Sequence, residues 1–383
     1  MKILPPDQLP TAQYIATPDA LRDVYDALRQ EPIIAIDTES NSMYAYRTRV
    51  CLIQLSTRTH DYILDPLALG EHVRLLGDIF ADERIEKVFH AAEYDLICLQ
   101  REYGFHARHM FDTMYAARLV GQATIGLNDL IQANFGFKLN KSHQLDDWGA
   151  RPLKASSLRY AQTDTHYLIP LRDIYHTILQ ERGALEEAAD VFADLERVEA
   201  KERPFDPEGY WQLIRRDSEL SKRDIAVLSE LYVLRERIAE EEDRPPFKII
   251  ENQALLTLAQ RQPAHWQALF QLKGISARQA RMYGDELLRA IERGQTKPPP
   301  EPPVPPEVNA RLAERYMALY QWRKECANKR ALDGHIIMPK AILWDIAEKM
   351  PRTPEELAQI EGIGAWRLNA YGQDLLNVLK GLR

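Results

Sequence analysis

The stretch Ile33-Ile34-Ala35-Ile36-Asp37-Thr38-Glu39 places four apolar residues directly before a pair of carboxylates. The apolar run has the length and β-branched character of a core strand. Side chains alternate along a strand, so Asp37 and Glu39 point to one face. Two further acids sit in segments that otherwise read as core. Asp95 follows Val88-Phe89-His90-Ala91-Ala92-Glu93-Tyr94, and Asp164 lies four residues after Tyr160 in Tyr160-Ala161-Gln162-Thr163-Asp164. At that spacing Tyr160 and Asp164 share one helical face. A buried carboxylate without a partner is costly, and several together repel. Divalent cations remove the conflict; Mg²⁺ prefers oxygen ligands, and two ions bridged by Asp and Glu are a recurrent device for hydrolysing phosphodiesters.

Outward from this stretch, residues 1–200 alternate between strand-like and helix-like segments. Residues 19–28 read as a helix, 33–36, 50–56 and 62–64 as strands with short connections, 67–80 as one helix and 87–90 as a fourth strand. This order predicts an α/β domain, a mixed sheet with helices on its faces. The segment Lys201-Glu202-Arg203-Pro204-Phe205-Asp206-Pro207 marks a boundary, beyond which amphipathic helices dominate. Lys297-Pro298-Pro299-Pro300-Glu301-Pro302-Pro303-Val304-Pro305-Pro306 is a semi-rigid polyproline linker.

The segments on either side of that linker align without a gap at a shift of 88 residues: Leu231-Tyr232 on Leu319-Tyr320, Arg235 on Arg323, Gly274-Ile275 on Gly362-Ile363, and Tyr283-Gly284 on Tyr371-Gly372. Two copies of one small helical domain are predicted. The expected domains are residues 1–203, 208–294 and 308–383, with the linker at 295–307.

The chain has 383 residues, 45% hydrophobic and 28% charged, with a net charge of −8. That excludes a protein coated in basic patches, but not a nucleic-acid enzyme whose acids hold metal. Cys51, Cys98 and Cys326 show no CxxC spacing, and Cys51 and Cys98 fall in apolar stretches as core residues. A reducing cytoplasm fits. The first residues have no signal-peptide pattern, and no apolar run approaches membrane-spanning length.

Each acid has an ordinary reading when taken singly. Asp95 can favour a helix N-terminus, Tyr160 can be a core aromatic, and Asp164 a surface charge. Their order and local contexts together argue otherwise. Ile36-Asp37-Thr38-Glu39, Val88 to Asp95 and Tyr160 to Asp164 resemble the three exonuclease motifs of the DEDD superfamily in its tyrosine-bearing subgroup. Asp146-Asp147-Trp148-Gly149-Ala150-Arg151-Pro152-Leu153 resembles the approach to the third motif in ribonuclease D proteins. The whole chain is similar to the bacterial ribonuclease D family, an exonuclease domain followed by two HRDC domains. The stretches after Glu39 and at residues 56–59 look closer to exosome-associated exonucleases of the same branch.

The resemblance implies a ribonuclease-H-like fold, then two all-α HRDC domains, and metal-dependent 3′–5′ exoribonuclease activity. It implies that Asp37, Glu39 and Asp164 hold one ion, that Asp37 and Asp95 hold a second, and that Tyr160 orients the attacking water. The cofactors would be two divalent cations, Mg²⁺ or Mn²⁺, and the products nucleoside 5′-monophosphates. The partner would be RNA 3′ ends, precursor tRNA and other small structured RNAs among them. No membrane partner and a monomer are expected.

Weaker candidates remain open between two readings. His90 is a phosphate contact or a satisfied strand-end histidine. Met43 and Tyr44 are base wedges or core residues, since stacking on such side chains tolerates any base. Trp148 reads as packing against the third-motif helix, and Arg151 as a phosphate contact or a cap. The glycine turns at 273–276 and 361–364 present N–H groups to phosphate or are tight interhelical turns. Residues 208–294 hold 14 basic and 14 acidic residues, whereas 311–383 hold 12 basic against 9 acidic, a net of +3. Lys324, Lys329, Arg330, Lys340 and Arg367 therefore suggest that the second copy clamps RNA while the first packs against the catalytic domain. A same-fold DNA exonuclease and a catalytically silent RNA-binding scaffold are the competing functions.

Overall fold

The computed structural model describes residues 3–201, 204–214, 219–303 and 309–382. The expected boundary at residue 203 and the end of the linker at 304–308 lie outside the described residues.

Six strands form one sheet: β1 (Gln13–Ile15), β2 (Ile33–Ser40), β3 (Val50–Ser56), β4 (Asp61–Leu64), β5 (Glu86–Phe89) and β6 (Met110–Asp112). Their order is β1-β4-β3-β2-β5-β6. β3 and β4 are antiparallel, while β1/β4, β2/β5 and β5/β6 are parallel, so the sheet is mixed as expected. The two strands not read from sequence, β1 and β6, are three-residue edges, too short to show a period of two. The apolar start of β2 is buried to Ile36, and burial relaxes from Asp37 onward. The strand runs four residues further than its apolar run, through both acids. In the parallel β2/β5 pair Ala35 lies opposite Val88. Asp37 and His90 each follow two residues later, at the carboxyl end of the β2/β5 pairing. Open α/β sheets place their sites at such strand ends.

The helix Pro18–Leu28 starts where Thr17 accepts from Ala20 N and buries Leu21, Val24 and Leu28. The single helix expected over 67–80 is instead three pieces: Pro66–Leu69, a 3-10 turn Gly70–Leu76, and Gly77–Ala81. Gly70 takes φ +56°, which interrupts the α-helical hydrogen bonding.

The 88-residue repeat is structural. Helices Lys222–Glu241, Pro246–Ile249, Asn252–Arg261, Trp266–Phe270 and Ala277–Thr296 begin 88 residues before Ala310–Arg330, Gly334–Ile337, Lys340–Lys349, Pro354–Ala358 and Ala365–Lys380. Arg235 Nη1 donates to Ile250 O at 3.1 Å, and its counterpart Arg323 donates to Met338 O at 2.9 Å. The paired arginines are therefore internal struts. Gly274 and Gly362 take φ +96° and +88°, and a Cβ on Gly362 would sit 2.3 Å from Ile342. Both glycine turns have the backbone angles of the tight-turn reading.

The chain forms two compact units. One contains described residues of 3–39, 50–200 and 309–382; the other contains those of 40–49 and 201–303. In the second unit Tyr46 Oη donates to Glu236 at 2.6 Å, and the backbone N–H groups of Tyr46 and Arg47 share Asp243 Oδ1 at 3.1 and 3.2 Å.

In the first unit the second repeat docks on the α/β domain, a packing role that the sequence reading gave to the first repeat. Arg367, 1% exposed, donates Nη1 and Nη2 to Asp194 at 2.9 and 2.6 Å, and its backbone N–H to Asp190. Arg330 forks onto Glu187 at 2.5 and 2.8 Å and also donates to Tyr371 Oη. Ile336 joins the α/β domain's core. Arg330 and Arg367 are engaged by acids of the α/β domain, so the net positive charge of this copy overstates what it offers to a ligand. The repeat explains the difference. Position 330 corresponds to Glu242, which accepts from Tyr283, and position 367 to Gln279. Two changes thus equip the second copy for the acidic face of helix Leu185–Glu196.

Removing one partner of a buried ion pair strands the other charge, which costs about 3–5 kcal/mol. Arg367→Ala in the full chain should lose stability on that scale in urea denaturation followed by circular dichroism. An unchanged unfolding curve would mean that the docking contact is incidental.

Candidate active site

β2 supplies Asp37 and Glu39, the first turn of helix Glu93–Tyr103 supplies Asp95, and helix Ala155–His166 supplies Tyr160 and Asp164. One carboxylate oxygen each from Asp37, Glu39 and Asp164 lies within 4.8 Å of the others. Asp95 is buried and accepts from Thr38 Oγ1, the hydroxyl between the first two acids. Tyr160 donates its hydroxyl to Asp164.

This packing of acids is electrostatically unfavourable. Burial, then Asp95, Asp164 and Glu39, push Asp37 well above the usual carboxylate range. Burial, then Asp164 and Asp95, raise Glu39; burial and then Asp95 raise Asp164. Burial also raises Asp95, against the hydrogen bond from Thr38. The Tyr160 hydroxyl is raised by burial and by Asp164, Glu39 and Asp37, so it stays protonated and able to donate. Clustered hard oxygen donors that repel one another suit divalent cations, and the absence of Cys and His from the set disfavours zinc.

The surroundings hold this geometry. Asp61 fastens helix Ala155–His166 to the sheet, accepting from Gln162 Nε2 at 2.6 Å and Ser56 Oγ at 2.7 Å, with His166 Nδ1 at 2.9 Å. Ser56 Oγ also meets Thr165 Oγ1 at 2.7 Å. Trp148 is buried with its ring 6.1 Å from that of Tyr160, so it packs against this helix as its sequence context suggested. Arg151 is engaged within the protein. It forks onto Asp65 at 2.7 Å through both Nε and Nη2 and donates to the carbonyls of Cys51, Trp148 and Ala150. Asp146 accepts from Ser157 Oγ at 2.6 Å, tying the preceding loop to the helix.

The acids open into a cavity of about 370 Å³ lined also by His90, Asn128, Leu139, Asn140, Lys141, Gln144 and Tyr160. Ligand pockets that bury a small molecule are about 300–1,000 Å³.

Residues 12–180 match the 3′-5′ exonuclease family, and residues 224–291 and 313–379 each match the HRDC domain. A ribonuclease D from Acidiphilium cryptum is 29% identical over 388 residues, covering 99% of this chain and 95% of that protein. The crystal structure of Escherichia coli RNase D, described as an exoribonuclease involved in structured RNA processing, aligns with a TM-score of 0.64 and 26% identity over 97% of this chain and 99% of that one. The chain belongs to the DEDD 3′–5′ exonucleases that carry HRDC domains. The exosome complex component 10 homolog of Caenorhabditis elegans is 33% identical over 252 residues, 65% of this chain, and this chain spans only 29% of that relative's length.

The DEDD exonuclease family is metal-dependent, and this chain carries a cluster of acidic oxygen donors. The fold brings all five motif residues to one place. It adds His90 to the cavity, where Nδ1 meets Thr113 Oγ1 at 2.9 Å and burial lowers the imidazole to about 4, leaving it neutral at pH 7. Met43 is 44% exposed and its neighbour Tyr44 lies under Lys248 Nζ at 3.8 Å, so neither is a core residue. Lys324 and Lys329 are exposed on the second repeat, whereas Arg330 and Arg367 are engaged as described above. Sequence reading missed Asn128, Asn140, Lys141 and Gln144. The last three occupy an irregular stretch with no period to mark them, and only proximity to the third-motif approach hinted at their place.

Replacing one acid of a repelling cluster by its neutral isostere relieves the repulsion. Asp37→Asn should raise the melting temperature in EDTA, by about 2–4 °C for each kcal/mol relieved, while shrinking the further rise on adding Mg²⁺. Thermal denaturation with and without the ion measures both. A lower melting temperature in EDTA would mean that Asp37 is held by favourable contacts instead.

Proposed function

We propose that this chain is a metal-dependent 3′–5′ exoribonuclease that releases nucleoside 5′-monophosphates from RNA ends. One observation carries the reading: Asp37, Glu39 and Asp164 converge within 4.8 Å at a nucleotide-sized cavity, beside Asp95 and the protonated Tyr160. Asp37, Glu39 and Asp164 would hold one divalent cation, and Asp37 with Asp95 a second, Mg²⁺ or Mn²⁺ in each case. When bound, such ions lower the pKa of water and stabilise the leaving oxygen. The chain's own part is positional. Tyr160 uses its hydroxyl, already directed at Asp164, to orient the attacking water. Helix Ala155–His166 keeps both groups in register through the Asp61 network. His90, uncharged and hydrogen-bonded to Thr113, and Lys141 form walls against the terminal nucleotide.

The similarity to ribonuclease D over nearly the full chain supports RNA as substrate. Precursor tRNA and other small structured RNAs are the proposed natural ends, and a cytoplasmic monomer the proposed form. Among the described residues no helix is long and apolar enough to cross a membrane.

With Mg²⁺ and 5′-labelled single strands, the full chain should produce a shortening ladder on RNA and not on matched DNA. A DNA ladder of equal rate would reassign the substrate, and no cleavage of either would make the protein a binding scaffold. Asp37→Asn should reduce the ladder to background. EDTA should stop the reaction, and Mg²⁺ or Mn²⁺ should restore it.

Tyr160→Phe should lower single-turnover rate by about 10²-fold, the scale of a positioned proton donor or acceptor, with RNA affinity little changed. Loss of affinity at an unchanged single-turnover rate would make Tyr160 a substrate contact.

A further inference from the structure

The second repeat differs from the first on one exposed face. Tyr316 and Trp344 stack there with ring centroids 4.1 Å apart and planes 13° from parallel. Trp344 remains 38% exposed, and Tyr320, 6.2 Å from Tyr316, is 36% exposed. Arg323 lies 5.0 Å from the Tyr320 ring centroid. Tyr320 continues into a cavity of about 740 Å³ where the second repeat meets the catalytic domain. Lys324 and Lys340 line that cavity and are exposed. Its acids are largely neutralised within the protein: Asp194 holds Arg367 and Arg197, Asp333 holds Arg118, and Glu93 accepts from Tyr115.

The internal repeat provides a control within the same chain. Eighty-eight residues earlier, Tyr316 is Leu228, Trp344 is Leu256, Lys324 is Glu236 and Lys340 is Asn252. Leu228 is fully buried, Leu256 packs against the first repeat's core, and Glu236 is engaged by Tyr46. The helical scaffold therefore needs neither the two large aromatics nor the two lysines. Exposed rings beside unneutralised cations match the requirements of single-stranded nucleic acid, whose bases stack on aromatic faces and whose phosphates seek positive charge.

We propose that Trp344, Tyr316 and Tyr320, with Lys324 and Lys340, form a platform for single-stranded RNA upstream of the 3′ end being trimmed. The stacked pair takes a base on the open face of Trp344. Lys324 and Lys340 hold the adjoining phosphates at the mouth of the joint cavity. This rests on the exoribonuclease reading for the identity of the ligand, but its test is binding and does not require turnover.

Binding of a 5′-labelled 12-nucleotide oligouridine RNA is measured by fluorescence anisotropy across a salt series, in full-length protein carrying Asp37→Asn. Trp344→Ala should weaken binding about tenfold, and Trp344→Phe should restore most of the loss. Lys324→Gln with Lys340→Gln should flatten the plot of log affinity against log salt by about 1.4, the slope of two phosphate contacts on a single strand. In parallel, the same substitutions in the chain with Asp37 intact should leave hydrolysis of a dinucleotide unchanged. Unaltered affinity and slope would overturn the platform, as would an equal loss on the dinucleotide, which would make the aromatic pair a support for the catalytic domain. Should Trp344→Ala fail to fold, Tyr320→Ala and the double lysine variant decide the question by the same two readouts. Tight RNA binding by a platform-intact chain that cleaves nothing would sink the exoribonuclease reading and leave the platform standing.

Discussion

Repulsion among Asp37, Glu39, Asp95 and Asp164 is the constraint to which the catalytic domain answers. Like charges in a low-dielectric pocket raise one another's pKa and cost stability unless something positive joins them. The chain brings them together from three separate elements, so the cost is met by the packing of β2 and two helices. The supporting contacts are correspondingly strong and mostly buried. Asp61 gathers Gln162, Ser56 and His166; Arg151 gathers Asp65 and three carbonyls; Asp146 gathers Ser157. Asp61 and Asp146 tie down the helix that carries Tyr160 and Asp164, and Arg151 ties the loop before that helix to Cys51 of β3 and to Asp65.

The repeats show how one scaffold is adapted twice. Both copies keep the arginine strut, the left-handed glycine and a tyrosine in the first half of the last helix. Around those shared parts, charge is rewritten. Glu242 faces Tyr283 in the first copy, and Arg330 faces Tyr371 in the second, free to fork onto Glu187. Gln279 bonds to Ile249 O, whereas Arg367 reaches Asp194. Buried bidentate pairs of this kind give orientation as much as energy. The second copy is a fixed part of the catalytic unit, and its cations divide into those that dock it and those that remain outside.

That division explains why net charge misled. A count of +3 over residues 311–383 treats every lysine and arginine alike. The fold pairs Arg330 and Arg367 with acids of the α/β domain and leaves Lys324, Lys329 and Lys340 exposed, and no local pattern in sequence separates the two classes. The acids Glu187, Asp190 and Asp194 that claim the arginines lie 143 to 177 residues away in the chain.

Sequence alone determined the elements whose signal is local. The aliphatic run before Asp37 specified a core strand, the i, i+2 and i, i+4 spacings fixed which side chains share a face, and the 88-residue shift specified a repeated helical domain. Those features depend on backbone periodicity, which is set within a few residues. Edge strands β1 and β6, the broken helix at Gly70, and the cavity residues Asn140, Lys141 and Gln144 needed the fold, because they are short or irregular and take their positions from distant neighbours. The tertiary structure also decided the convergence of four acids within one site and the partners of each buried charge. Both are long-range electrostatic and packing outcomes, and proximity in space, not in sequence, sets their sign and strength.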